Sequence, residues 1–349
     1  MFADNGRISK RQLALQLMLS FGGVLLLVVP GQEGFAGREG IFGLMIGYAG
    51  FCLYLFFLMR LAGPCRDPRR TAGKAAGVLI AVLYGLILTV TAAWLLQQMG
   101  KIGSRYLVEG ADENLLILLL LAVAALGTGR DVQRRGRLGE ALFPIIAAAL
   151  LLFFLLALFQ GDSSYLMEAE EVTARGILEK GWLVFSLVSL VGVMPFLLGR
   201  VDRYAGAAGR LRWSMGTIFL FLGASLLLLR AVFGQEGIRY KEFPMADLMG
   251  GTSLPGGFLQ RLDILWITVL MLSLLFAVGS LLFYAGDILE RFKLPHGRIP
   301  VLAITGFLAL PAVTGSSLGE NYLLLLTRVG APVLLAFSLG MSLMGRREG

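Results

Sequence analysis

Ten runs of apolar residues, most of them about twenty long and joined by short polar connections, leave this chain one environment in which to fold. A helix rises about 1.5 Å per residue, so roughly twenty residues cross a hydrocarbon core of about 30 Å. The runs cover 12–30, 40–61, 75–99, 114–128, 140–159, 181–198, 211–233, 262–289, 299–316 and 321–344. The fourth and ninth are short or interrupted. Only 15% of residues are charged, against about 25% in soluble domains. The expected fold is therefore all-α and membrane-embedded, with about ten transmembrane helices in one domain, 1–349.

The charges report topology. Net charge is +8, which in a soluble chain would raise the question of nucleic acid. Here 21 of the 31 basic residues fall in alternate connections, beginning with Arg7, Lys10 and Arg11. Acidic residues gather on the other side, notably Glu168, Glu170, Glu171 and Glu179 in one connection. Basic connections face the cytoplasm, so an even number of spans with both termini cytoplasmic is expected, and nucleic acid is not. No A-x-A site follows the first run, which reads as a retained helix.

Ten spans divide into five and five, 1–165 and 166–349, and an odd-numbered repeat must be inverted in the membrane. The first span carries Phe21-Gly22-Gly23 and the sixth Gly192-Val193-Met194-Pro195. Paired Gly/Pro interruptions at matching positions point to broken helices around a transporter's binding site. Unwound backbone there offers N–H and C=O groups to a ligand. The competing reading is close helix packing, for which small residues also serve.

Enzymatic readings find little support. There is no H-E-x-x-H, G-x-S-x-G, phosphate-binding loop or C-x-x-C. The single histidine, His296, and the two cysteines, Cys52 and Cys65, cannot build a metal centre together. No enzyme, cofactor or metal site is expected.

Three segments carry a resemblance. Ile8-Ser9-Lys10-Arg11-Gln12 precedes the first span. Arg137-Leu138-Gly139-Glu140 leads to Phe143-Pro144 at the fifth. Phe243-Pro244, then Phe258-Leu259-Gln260-Arg261-Leu262-Asp263, leads to the eighth. In order and spacing these resemble the I-S-x-x-Q, R-x-x-E-x-x-F-P and x-P…F-x-x-R-x-D segments of the B subunits of spore germinant receptors, over essentially the whole chain. The resemblance implies the amino acid–polyamine–organocation transporter fold, of LeuT type, with five-plus-five inverted symmetry and broken first and sixth helices. It also implies residence in the inner spore membrane and a small germinant, often an amino acid. Partner A and lipoprotein C subunits would carry the signal onward.

In that fold the pocket lies between the first, third, sixth and eighth helices. The resemblance thus nominates Phe21, Gly22 and Gly23, then Gly192, Val193, Met194 and Pro195, for backbone contacts and an apolar wall. Tyr84 and Leu88 share a face of the third helix; Thr268 and Ser273 are polar and lie mid-run on the eighth. Each has a plainer role in packing or in bonding to its own helix. Glu140 is expected to pair with Arg137, and Arg230 to snorkel outward. Arg261 and Asp263 are expected to order the outer start of the eighth span. Arg328 lies inside the tenth span, where a charge suggests function by default. An autonomous amino-acid permease of the same fold and a ligand-free scaffold are the alternatives to a sensor.

Overall fold

The computed structural model describes residues 6–60, 74–128, 131–167, 170–198, 200–202, 206–251, 262–291, 297–315 and 317–344. Eight helices are long and apolar enough to cross a membrane. They are α1 (Lys10–Gly31), α2 (Arg38–Arg60), α3 (Gly77–Leu107), α5 (Val132–Leu158), α6 (Ala174–Leu198), α7 (Ala207–Arg239), α8 (Ile264–Arg291) and α10 (Leu318–Gly340). Two shorter apolar helices, α4 (Glu113–Thr128) and α9 (Arg298–Ala309), stand at the fourth and ninth places. Among the described residues there is no strand, only an isolated parallel bridge between Ile8 and Val201.

Ion pairs sort the helix ends into two groups. Arg11 reaches Glu140, Arg200 reaches Asp287, and Arg298 reaches Glu290. These join the starts of α1, α5 and α9 to the ends of α6 and α8. Glu39 with Lys180, Lys101 with Glu242 and Arg239 with Glu33 join the opposite ends. Successive helices therefore alternate in direction, as the charge pattern requires.

Burial decides which helices form the centre. In the apolar windows of α1 and α6, 83% and 89% of residues are buried, against 17% for α5. The outer helices turn leucines outward, among them Leu118, Leu119 and Leu126 on α4 and Leu151, Leu155 and Leu158 on α5. In water such a surface would aggregate; facing lipid, it is the solvated face.

Local chemistry explains the motif before α1. The Ser9 side chain accepts from the Gln12 N–H at 3.1 Å, and the Gln12 side chain accepts from the Ser9 N–H at 2.9 Å. This reciprocal capping box satisfies two orphan donors of the helix. Gln12 Nε2 then donates to Glu140 of α5 at 3.0 Å. Glu140 also lies 4.0 Å from Arg11. Two of the sequence motifs thus meet in space. The third falls mostly in 252–261, outside the described residues, as do Cys65 and His296. Asp263 is described only as backbone.

Arg230 departs from expectation. It does not reach outward: it is buried against Glu170, and its Nε donates to the Tyr165 carbonyl at 2.8 Å. Glu170 also accepts from the Arg38 N–H at the start of α2, at 2.6 Å. The acidic connection between α5 and α6 is therefore fastened across α2 and α7. Arg328 sits on the exposed side of α10 within a π-turn, Leu326–Gly330.

Candidate functional site

The sixth helix is interrupted where Gly192 and Pro195 lie. Its α-ladder ends at Val188, a tighter 3₁₀ segment spans Ser189–Val193, and a short α segment resumes over Met194–Leu198. Proline lacks an N–H and cannot continue a preceding ladder, yet fits the first turn of a new one. The first helix behaves differently. It remains α-helical from Lys10 to Val28, straight through Gly22 and Gly23, and departs only in a 3₁₀ turn at Val29–Gly31. The break expected at the glycine pair is absent, because nothing there removes a backbone donor.

A narrow cavity of roughly 40 Å³ lies among α1, α3, α6 and α8. Its walls are Leu17, Ser20, Phe21 and Val24 of α1; Leu88, Thr91 and Leu95 of α3; Leu190 and Val193 of α6; and Ala277, Ser280, Leu281 and Tyr284 of α8. The volume suits about one water. The cleft is in a contracted state, and larger guests require the helices to part.

Its polar groups are already hydrogen-bonded. Ser20 donates to Ser280 at 2.9 Å. Thr91 accepts from Tyr322 of α10 at 2.8 Å. The Tyr284 hydroxyl donates to Gln16 at 2.7 Å, and the buried Gln16 amide nitrogen has no partner among the described residues. Opening the cleft would free hydroxyls from α1 and α8 together, which suits a small, partly polar ligand.

The nominated residues divide into groups. Phe21, Leu88 and Val193 line the cleft. Gly192 backs the break: a Cβ there would lie 2.5 Å from the Tyr54 hydroxyl and 3.3 Å from that of Tyr84. Tyr84 is buried and stacks edge-on against Phe196, and Met194 and Pro195 are buried beside it in sequence. Gly22, Gly23 and Ser273 instead border a second, apolar cavity of about 260 Å³ among α1, α5, α7 and α8. Ser273 donates to the Leu19 carbonyl at 3.1 Å. Thr268 lies on the exposed surface of α8, away from the cleft. Ser20, Thr91, Ser280 and Tyr284 were not among the nominated residues; each shares a face of α1, α3 or α8 with a nominated residue or with another of the four.

The two neighbouring glycines make a direct comparison. A Cβ at Gly22 meets nothing within 4 Å, whereas one at Gly23 falls 2.6 Å from Ser273 Oγ. Gly22→Ala is therefore expected to leave thermal stability unchanged. Gly23→Ala should lower it by about 1–3 kcal/mol, the usual cost of overpacking. Equal melting curves for the two variants in detergent would contradict this packing.

Among the described residues, eight spanning helices and two shorter ones, around a cleft walled by a broken one, have the fold of LeuT-type secondary transporters. Solved structures agree. A manganese transporter of Eremococcus coleocola superposes with a TM-score of 0.61 at 16% identity, over 95% of this chain and 77% of its own. The nucleobase-cation-symport-1 transporter MHP1, closed with bromovinylhydantoin bound, gives 0.61 at 16% identity, over 94% and 78%. A Na⁺-coupled sialic acid symporter gives 0.58 at 12% identity, over 97% and 77%. The particular family follows from sequence: residues 39–310 match the spore permease family, described as spore germination protein, and the chain belongs to it. "Spore germination protein YndE" of Bacillus subtilis is 22% identical over 223 residues, 63% of this chain and 60% of that protein. The chain is an integral, multi-pass membrane protein of a permease family, and not an enzyme.

Proposed function

We propose that this protein is the membrane subunit of a nutrient germinant receptor, binding a small germinant such as an amino acid in the cleft among α1, α3, α6 and α8. The observation that carries the reading is the broken α6 beside a cleft where Ser20 donates to Ser280 and Tyr284 to Gln16, joining α1 to α8. A ligand that separates these hydroxyls and takes their place favours an opened state over the contracted one. Differential affinity of that kind is what a ligand needs to shift a conformational equilibrium. In this reading the division at 1–165 and 166–349 is that of the two five-helix repeats. The A subunit and the lipoprotein C subunit read the change, at the inner spore membrane with both termini cytoplasmic. The nominated residues then act as wall (Phe21, Leu88, Val193) and as support for the break (Gly192, Tyr84, Met194, Pro195).

Spores carrying Ser20→Ala or Leu88→Phe as the sole copy provide the test. The nutrient concentration for half-maximal germination is expected to shift by about tenfold or more, with protein level and maximal response retained. An unchanged concentration dependence in both variants would remove the cleft from nutrient sensing. Uptake of labelled amino acids into proteoliposomes, if seen with this subunit alone, would favour the permease reading of the same cleft.

A further inference from the structure

Arg135 is a deeply buried charge beside the cleft. It lies near the start of α5 with 2% of its surface exposed. An arginine inside a bundle is costly unless its donors are met. Here they are met entirely by neutral oxygens. Nε and Nη2 donate to Ser280 Oγ at 3.1 and 2.6 Å, Nη2 also to the Phe276 carbonyl, and Nη1 to the Gly127 carbonyl of α4 at 3.3 Å. The guanidinium carbon sits 4.4 Å from the centre of the Phe276 ring, a cation–π contact. No carboxylate among the described residues pairs with it.

The neighbourhood is shaped around this group. A Cβ on Gly279 would stand 3.0 Å from Nη1, so α8 presents bare backbone where the guanidinium lies. The acceptor Ser280 Oγ is the same atom to which Ser20 of α1 donates. Positive charge at this point therefore gathers α1, α4, α5 and α8 onto one cluster of oxygens.

A cage of carbonyls and a hydroxyl, with no anion, is the kind of shell that replaces the hydration of an alkali cation. In transporters with broken helices, backbone carbonyls coordinate coupling ions in this way. The sialic acid symporter that shares the fold is Na⁺-coupled. In this chain a free ion does not fit the cage, because the guanidinium fills it. We propose that Arg135 is a tethered substitute for an alkali cation, so that the closed bundle is held together without sodium. Because the charge is covalently attached, its occupancy does not follow the ionic composition outside. A detector so built reports its ligand and not the salt.

The test needs no nutrient. Thermal unfolding of the purified protein in detergent would be followed in sodium, lithium, potassium and choline chloride at matched ionic strength. The wild type is expected to melt at the same temperature in all four. Arg135→Ala should melt lower in choline and recover saturably with sodium or lithium, as a ligand bound only by the native state requires. It should also bind ²²Na⁺, which the wild type does not. Arg135→Lys should keep the indifference to salt. If Arg135→Ala cannot be recovered folded, Gly279→Ala, which displaces the guanidinium from α8, takes its place in the same comparison. Equal destabilisation in every salt would overturn the proposal, reducing Arg135 to packing and hydrogen bonding. A wild-type melting point that rises saturably with sodium would overturn it as well.

Discussion

Glu170→Gln is expected to destabilise the folded protein by about 3–5 kcal/mol, the cost of removing one charge of a buried ion pair. The Arg230 and Glu170 side chains are only 3% and 8% exposed, so water cannot replace the lost charge. Two further attachments depend on the same carboxylate. It accepts from the Arg38 N–H at the start of α2, where an anion also answers the helix dipole. Its partner Arg230 holds the Tyr165 carbonyl, pinning the short helical turn Ser163–Leu166 onto α7. Removing both charges should be milder than removing one, since a buried pair replaced by apolar groups is often neutral. Thermal or denaturant unfolding in detergent of Glu170→Gln, Arg230→Met and Glu170→Met/Arg230→Met checks this. A single variant within about 0.5 kcal/mol of wild type, the usual range for surface changes, would show that the pair is solvated.

Gly192→Leu is expected to abolish the nutrient response while the protein still accumulates. The position backs the interruption of α6, and even one added carbon would meet the Tyr54 hydroxyl at 2.5 Å. Tyr54 cannot easily yield: its hydroxyl is 2.9 Å from Ser338 Oγ of α10, and its ring packs edge-on against Phe185. The added side chain must therefore push the broken segment toward the cleft, whose spare volume is about that of one water. Overpacking of this kind costs about 1–3 kcal/mol, enough to distort a site without unfolding a bundle. Germination assays paired with immunoblots decide the matter. Normal germination at normal protein level would separate Gly192 from function.

Much of the architecture was legible because lipid imposes a simple rule: backbone groups must be satisfied within the segment, so spans are long, apolar and countable. Even the weakness of the fourth and ninth runs is real, since α4 and α9 are the short helices. The site was legible where sequence chemistry forces a backbone event. Pro195 removes a donor, and α6 breaks there. Gly22 and Gly23 only remove side chains, and α1 runs on unbroken. A small residue advertises closeness to something without saying what. Gly23 turned out to be close to Ser273, and Gly192 to two tyrosines.

Long-range partners were hidden for a different reason. Arg135 read as one more basic residue of a cytoplasmic connection, because the fifth apolar run begins only at 140. The helix itself begins at Val132, eight residues earlier, and lays Gly136 and Gly139 against α1. That glycine face at helical spacing was the available sign that the basic stretch was already inside the bundle. Arg230 and Glu170 are sixty residues apart and find each other only in the fold.

The contracted cleft has a consequence for sensitivity. A guest that binds only the parted helices sees its apparent affinity lowered by the fraction of time they are parted. If that fraction is about one in a hundred, the dose required rises about a hundredfold above the intrinsic dissociation constant. On the proposed nutrient-sensing reading, the contracted form would act as a threshold: trace nutrient would leave it shut, and only a higher concentration would tip it.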